Sequence, residues 1–229
     1  MNSLSEALEK LANKQNENLI GKLSEKSVHS CIKYMICLDE SCHEVKVDNF
    51  FCDVVVNNHI YEVQSKGFDK IRKKLEKLLL DHKVTIVYPV IRNSYLEIEE
   101  GYSKKNRKSP KIGHFLDFFN EAYKIKYLLK NPNLDFKLIM MDVIDIRVRE
   151  QKRLIKIDKY PINIIEVIDL IKVEDYLIFL KGLVEFNSKE FAEANKVNIK
   201  TAQIALNVLY YLDLVDRVKT GREFIYKVS

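Results

Sequence analysis

Four residues in one short stretch have the types and spacing to do chemistry. They lie in FFCDVVVNNHIYEVQSKG, Phe50 to Gly67. Asp53 stands in an otherwise apolar run, where an acid is costly unless it is paired or bound to a metal. Glu62, Gln64 and Lys66 recur at every second position, and alternation puts such side chains on one face of a strand. Two acids on neighbouring strands, flanked by an amide and a lysine, suit oxygen ligation of Mg2+ or Mn2+. The alternative is a hairpin with one solvent face, on which Glu62 and Gln64 are merely exposed.

The stretch reads as two strands, Phe51 to Val56 and Ile60 to Ser65, joined by a turn at Asn57-Asn58. Upstream, residues 3 to 20 read as a helix with Leu4, Leu8, Leu11 and Leu19 roughly in phase, broken at Gly21. A second helix is expected from Ser24, its N-cap, to Leu38. It stacks Glu25 and His29 on one face, four residues apart. His43 to Val47 then alternates as a strand. Downstream, Phe68 to His82 is amphipathic, with Ile71, Leu75, Leu78 and Leu79 inward and four lysines outward. Lys83 to Ile91 is apolar and β-branched, the pattern of a strand buried on both faces. Strand, helix and strand together make a βαβ crossover.

Asn93 to Glu100 reads as a further strand. A polar loop follows, in which Lys104, Lys105, Arg107, Lys108 and Lys111 could meet phosphates or simply be solvated. Residues 114 to 130 read as helix, Leu134 to Val143 as strand, Arg147 to Arg153 as a charged turn and Leu154 to Ile157 as a short strand. Composition shifts near residues 158 to 172, which sets a boundary between a domain at 1–170 and another at 171–229. The second has a helix at Glu174 to Val184, a short helix capped by Ser188, a third capped by Asn198, and a hairpin turning at Thr220-Gly221. Three helices and a hairpin make a winged helix-turn-helix. Lys200, Thr201 and Gln203 open its third helix, and Arg217, Lys219 and Arg222 decorate the wing; these types reach bases and phosphates. Use of the same domain for protein contact is the alternative.

The chain has 229 residues, 47% of them hydrophobic and 31% charged, with a net charge of +5. A modest basic excess weakly favours a nucleic-acid partner. No apolar run reaches the length of a membrane span. MNSLSEALEK has none of a signal peptide's features, so a cytoplasmic protein is expected. Cys31, Cys37, Cys42 and Cys52 lie near His29 and His43, yet lack the paired C-x-x-C spacing of structural zinc. Reduced, buried thiols are the expectation.

The central stretch resembles the PD-(D/E)xK nuclease superfamily. Asp53 and then Glu62-Val63-Gln64 carry the resemblance, with Gln64 where the superfamily usually has lysine. A Glu-x-Gln variant occurs in some active restriction endonucleases of that superfamily. The order helix, three-stranded meander, helix, strand is similar too, over about residues 22 to 92. Many members carry an acid on the first core helix, the place of Glu25. The resemblance implies an α/β fold with a restriction-endonuclease-like mixed sheet flanked by helices. The C-terminal part is similar to winged-helix DNA-binding domains. The implied activity is metal-dependent hydrolysis of phosphodiester bonds, with DNA as partner. Asp53 and Glu62 would hold Mg2+ or Mn2+ with the Val63 carbonyl, assisted by Glu25. Gln64 would orient water, and Lys66 would supply the missing cation if the strand reaches it. Double-strand cleavage would call for a homodimer. A non-catalytic DNA-binding protein or a transcription regulator on the same fold is the rival reading.

Overall fold

The computed structural model describes residues 1–17, 27–100, 103–151 and 153–229. They form a mixed α/β fold and divide into two compact units. The first is Met1–Val63 with Pro89–Gly113 and Ile139–Val167; the second is Gln64–Tyr88 with His114–Leu138 and Ile168–Ser229. Three long strands, Lys83–Glu100 (β4), Leu134–Glu150 (β6) and Arg153–Leu170 (β7), each have residues in both units.

In the first unit, helices α1 (Leu4–Glu17) and α2 (Ser27–Ile36) bury Ala7, Leu11, Cys31, Tyr34 and Met35 together. Leu4, Leu8, Tyr160 and Ile164 pack against that cluster. The leucine phase of the N-terminal segment therefore finds a core. Leu19, Gly21, Ser24 and Glu25 lie outside the described residues.

Strands β1 (His43–Val47), β2 (Phe50–Val56) and β3 (His59–Val63) make an antiparallel meander. Asn57 and Asn58 turn β2 into β3 with φ of 50° and 64°. Two successive left-handed residues match the twist of a hairpin, and Asn tolerates that region better than most residues. The large sheet has the order β1-β2-β3-β4-β6-β7, with Ser103–Lys108 (β5) paired to β4.

Three expectations change here. β4 is a single strand of 18 residues. Asn93 does not interrupt it, because its N–H and side-chain amide both donate to Asp142 Oδ1, at 3.0 and 2.7 Å. Ser103–Lys108 of the basic loop is a strand, in which Lys104 lies opposite Glu99 and pairs with Glu97 and Glu99 at 3.0 and 3.4 Å. The charged turn is shorter than expected: Arg147–Glu150 continue β6, and the chain turns at Gln151, φ 54°. Arg147 holds buried Asp145 through two bonds, 3.0 and 3.1 Å, and Lys159 approaches the same carboxylate at 3.3 Å.

In the second unit, helix α3 (Phe68–Leu78) and short helical turns over Phe115–Leu128, including α4 (Phe119–Ala122), enclose an aromatic core. Phe118 meets Phe136 edge-on at 4.9 Å and Phe119 meets Phe179 at 5.0 Å, the tilted geometry that aromatic rings prefer. A 3-10 helix, Val173–Leu180, leads to β8 (Glu185–Asn187), α5 (Ser188–Asn195), α6 (Ile199–Tyr211), β9 (Val215–Thr220) and β10 (Glu223–Val228). The strands form a second sheet, β8-β10-β9. Asn187, one residue before the expected Ser188, caps α5; Glu190 returns a bond to its N–H and completes a capping box. Asn198 caps α6, accepting from Thr201 N–H at 2.9 Å.

Candidate metal and nucleic-acid site

The β2–β3 register pairs Val54 with Tyr61. One step further along the ladder, Asp53 comes level with Glu62. Like charges opposed across a ladder are destabilising unless something positive is supplied. Two hydrogen bonds lock the pair in place. Val63 N–H donates to Asp53 Oδ2 at 2.7 Å, and Asp53 N–H to Glu62 Oε1 at 3.4 Å. Glu62 is only 2% exposed, and a buried carboxylate is costly without such partners.

Helix α2 contributes His29. Its Nε2 lies 3.2 Å from Asp53 Oδ2 and 3.1 Å from the Val63 carbonyl oxygen. A carbonyl only accepts, so Nε2 is the protonated nitrogen. The ring thus places an N–H, or a full cation when the other nitrogen is protonated, where a carboxylate oxygen and a carbonyl oxygen converge. One turn on, Lys33 is 4% exposed and donates to Glu44 Oε1 at 2.6 Å. A lysine so buried is uncommon. Its i, i+4 spacing from His29 was the sequence signal that could have singled it out.

Oxygen donors of the type Mg2+ takes are therefore present: two carboxylates and a carbonyl. Among the described residues no group of three His, Cys, Asp or Glu side chains could hold a metal ion. Glu25, the third acid of the expected set, lies outside them. The fit thus rests on Asp53, Glu62 and the Val63 carbonyl.

The expected common face of Glu62, Gln64 and Lys66 ends early. β3 stops at Val63, and Lys66 is exposed in the bend before Gly67. Gln64 donates its backbone N–H to Val87 O at 3.0 Å. Gly67, at φ 79°, and Phe68 both give their N–H to Glu121 Oε2, at 2.6 and 3.1 Å, which fixes the start of α3.

Of the expected basic residues, Lys105, Arg107, Lys108 and Lys111 are exposed. Lys108 sits over the Tyr95 ring at 5.9 Å. On α6, Lys200 and Gln203 are exposed, but Thr201 is 6% exposed. Its side chain belongs to the core, so it is withdrawn from the residues that could read a base. Lys219 and Arg222 are exposed on the β9–β10 hairpin. Arg217 lies between two rings, 4.2 Å from the Tyr210 centroid and 4.9 Å from that of Phe224. Tyr210 and Phe224, both exposed, were missed from sequence because they meet Arg217 only once α6 and the hairpin are folded.

Burial pushes the Cys31 thiol up to about 12, which leaves it inert. Burial would raise the Asp145 carboxyl, but its bonds to Arg147 and the nearby Lys159 outweigh that and hold it below the usual range. Among the described residues no helix is long and apolar enough to cross a membrane.

Residues 26–174 match the family described as Domain of unknown function (DUF8091). A protein of Treponema pallidum (strain Nichols), itself described as uncharacterized, is 33% identical over 136 residues, covering 58% of this chain and 54% of that protein. The chain thus spans about half the length of that relative. No solved structure matches.

Proposed function

This chain belongs to the DUF8091 family, and we propose that it is a metal-dependent nuclease acting on DNA. The observation that carries the reading is the convergence of Asp53 Oδ2 and the Val63 carbonyl on one point, beside the buried Glu62. The meander β1–β3, followed by α3 and β4, supports a restriction-endonuclease-like core. The order of a 3-10 helix, β8, α5, α6, β9 and β10 around a three-stranded sheet supports a winged helix over residues 171–229. That segment lies almost wholly beyond the family match.

In this reading Asp53, Glu62 and the Val63 carbonyl hold Mg2+ or Mn2+. The ion would polarise the scissile phosphate and lower the pKa of an attacking water. Burial of Glu62 keeps bulk water from competing for its oxygens. His29 balances the acids when no ion is bound, donating from Nε2 to Asp53 and Val63, and gives up those bonds when one arrives. Gln64, next in the chain after Val63, has no charge to lend and acts only by hydrogen bonding. The exposed Lys200, Lys219 and Arg222 supply phosphate contacts from the C-terminal segment.

One feature favours a second reading. His29 already serves both Asp53 and Val63, as it would in a nuclease-like fold that has kept DNA binding and lost chemistry. The test is cleavage of duplex, single-stranded and branched DNA with Mg2+ or Mn2+. Wild type is expected to cut, and Asp53→Ala and Glu62→Ala to be inert while folded. A wild type that binds DNA but cuts none of these substrates would establish the second reading; activity retained in either variant would remove the acids from the chemistry.

A further inference from the structure

The four cysteines do not share one environment. Cys31 and Cys52 are buried, as expected, but Cys37 and Cys42 are only half-buried. Local structure brings these two together. α2 ends at Ile36, and Cys37 N–H still donates to the Lys33 carbonyl at 2.9 Å. The chain then doubles back through one 3-10 turn, Glu40–Cys42. Asp39 caps that turn, its side chain accepting from Ser41 N–H at 2.9 Å and its carbonyl from Cys42 N–H at 3.1 Å. His43 reaches back from the start of β1, and its Nε2 donates to the Cys37 carbonyl at 2.8 Å.

A loop closed in this way sets the Cys42 thiol in hydrogen-bond contact with that of Cys37. This bond first, and then burial, raises the Cys42 thiol above its ordinary value, so Cys42 holds its proton and Cys37 is left as the attacking sulfur. Among the described residues no third His, Cys, Asp or Glu completes a metal site with the pair. The chemistry open to two touching, part-exposed sulfurs is oxidation.

We propose that Cys37 and Cys42 form a reversible oxidation site, which hydrogen peroxide converts to a disulfide within one chain. The Cys37 thiolate attacks one peroxide oxygen and the O–O bond breaks. Cys37 becomes a sulfenic acid, and the leaving hydroxide takes up a proton to become water. Oxidation of Cys37 also ends the bond that most strongly held the Cys42 proton. Cys42 then loses that proton and attacks the Cys37 sulfur. The S–S bond forms, the S–O bond breaks and a second water leaves. Two thiols and one peroxide yield one disulfide and two waters; the two sulfurs together give up two electrons, which reduce the peroxide. The bridge ties the end of α2 to the start of β1. It uses no residue of the acidic site, so it does not depend on the nuclease reading.

The test treats the reduced full chain with hydrogen peroxide, then labels the remaining thiols with iodoacetamide in urea. Label is expected on Cys31 and Cys52 alone. The tryptic peptide Tyr34–Lys46, which holds both Cys37 and Cys42, should be unlabelled and lighter by about 2 Da, and dithiothreitol should restore both thiols. This measurement needs no variant. Cys42→Ser, shown by circular dichroism to be folded, should stop at the sulfenic acid, trapped on Cys37 by dimedone. Full labelling of Cys37 and Cys42 after peroxide, a disulfide that involves Cys31, Cys52 or a second chain, or a folded Cys42→Ser protein with no dimedone adduct on Cys37 would each overturn the proposal.

Discussion

Replacing His29 with alanine tests how the acidic hairpin is balanced. Nε2 serves two acceptors, Asp53 Oδ2 at 3.2 Å and the Val63 carbonyl at 3.1 Å. His29→Ala removes that donor and leaves Asp53 level with Glu62 without it. Asp53 Oδ2 keeps the Val63 N–H at 2.7 Å, so one bond is lost at each acceptor, at a cost of at most about 1–3 kcal/mol when buried. The side chains of His29 and Asp53 are 29% and 17% exposed, so solvent screens part of this and the lower half of the range applies. Better helix propensity of alanine within α2 returns at most about 0.7 kcal/mol. The net expectation in EDTA is a loss of about 1 kcal/mol. Mg2+ should reverse it. In the variant the ion no longer displaces an imidazole N–H, so it binds more tightly than in wild type. An ion present at a hundred times its dissociation constant stabilises by about 2.7 kcal/mol. Urea denaturation of both proteins, in EDTA and in Mg2+, reads all four stabilities. The gap between variant and wild type should close or change sign in Mg2+. A gap of the same size in both buffers would refute the shared-position argument and make His29 a structural residue only.

Three further outcomes follow from named residues. Because β3 ends at Val63 and Lys66 is exposed, Lys66→Ala should change turnover by less than Gln64→Ala in a DNA-cleavage assay. A loss of about 10²-fold in Lys66→Ala, the scale of one electrostatic stabiliser, would show that Lys66 compensates for the absent lysine. Replacing Lys200, Lys219 and Arg222 together with alanine should weaken DNA binding uniformly across sequences and lower the salt slope by about one unit per lost phosphate contact, read by fluorescence anisotropy at several salt concentrations. The Asp145 carboxyl titrates below its ordinary 3.8 in the folded chain. Its contribution is therefore present above about pH 3.8 and lost as pH falls through the folded value. Acid titration followed by circular dichroism should show Asp145→Asn missing that part of the acid transition; an unchanged transition would contradict the assignment.

The parts of the fold legible in the sequence were those set by local rules. The limits of β1 at His43 and Val47, the turn at Asn57-Asn58, the start of α3 at Phe68 and the Asn198 cap were all readable from alternation, turn chemistry and capping. What was not legible depends on partners distant in sequence. Lys104 looks like a loop cation until Glu97 and Glu99 stand across a ladder from it. Asn93 looks like a break until Asp142 accepts its two donors. Arg147 looks like a turn until Asp145 and Lys159 bury its neighbourhood. The same limit applies at the site. Asp53 and Glu62 were conspicuous by type and spacing. The role of His29 needed α2 docked on the meander, and the parity argument for Lys66 failed because the strand stops at Val63. Thr201 has the right type for base contact but the wrong side of α6, which only the packing of that helix decides.

The central claim, that the acids of β2 and β3 hold a divalent cation, is tested most directly by a crystal grown with Mn2+ and measured for anomalous scattering. The account predicts a peak within ligand distance, about 2.0–2.6 Å, of Asp53, Glu62 and the Val63 carbonyl oxygen, with the His29 ring moved off the position between them. Saturating Mn2+ with no peak there, and His29 still bonded to Asp53 and Val63, would contradict it.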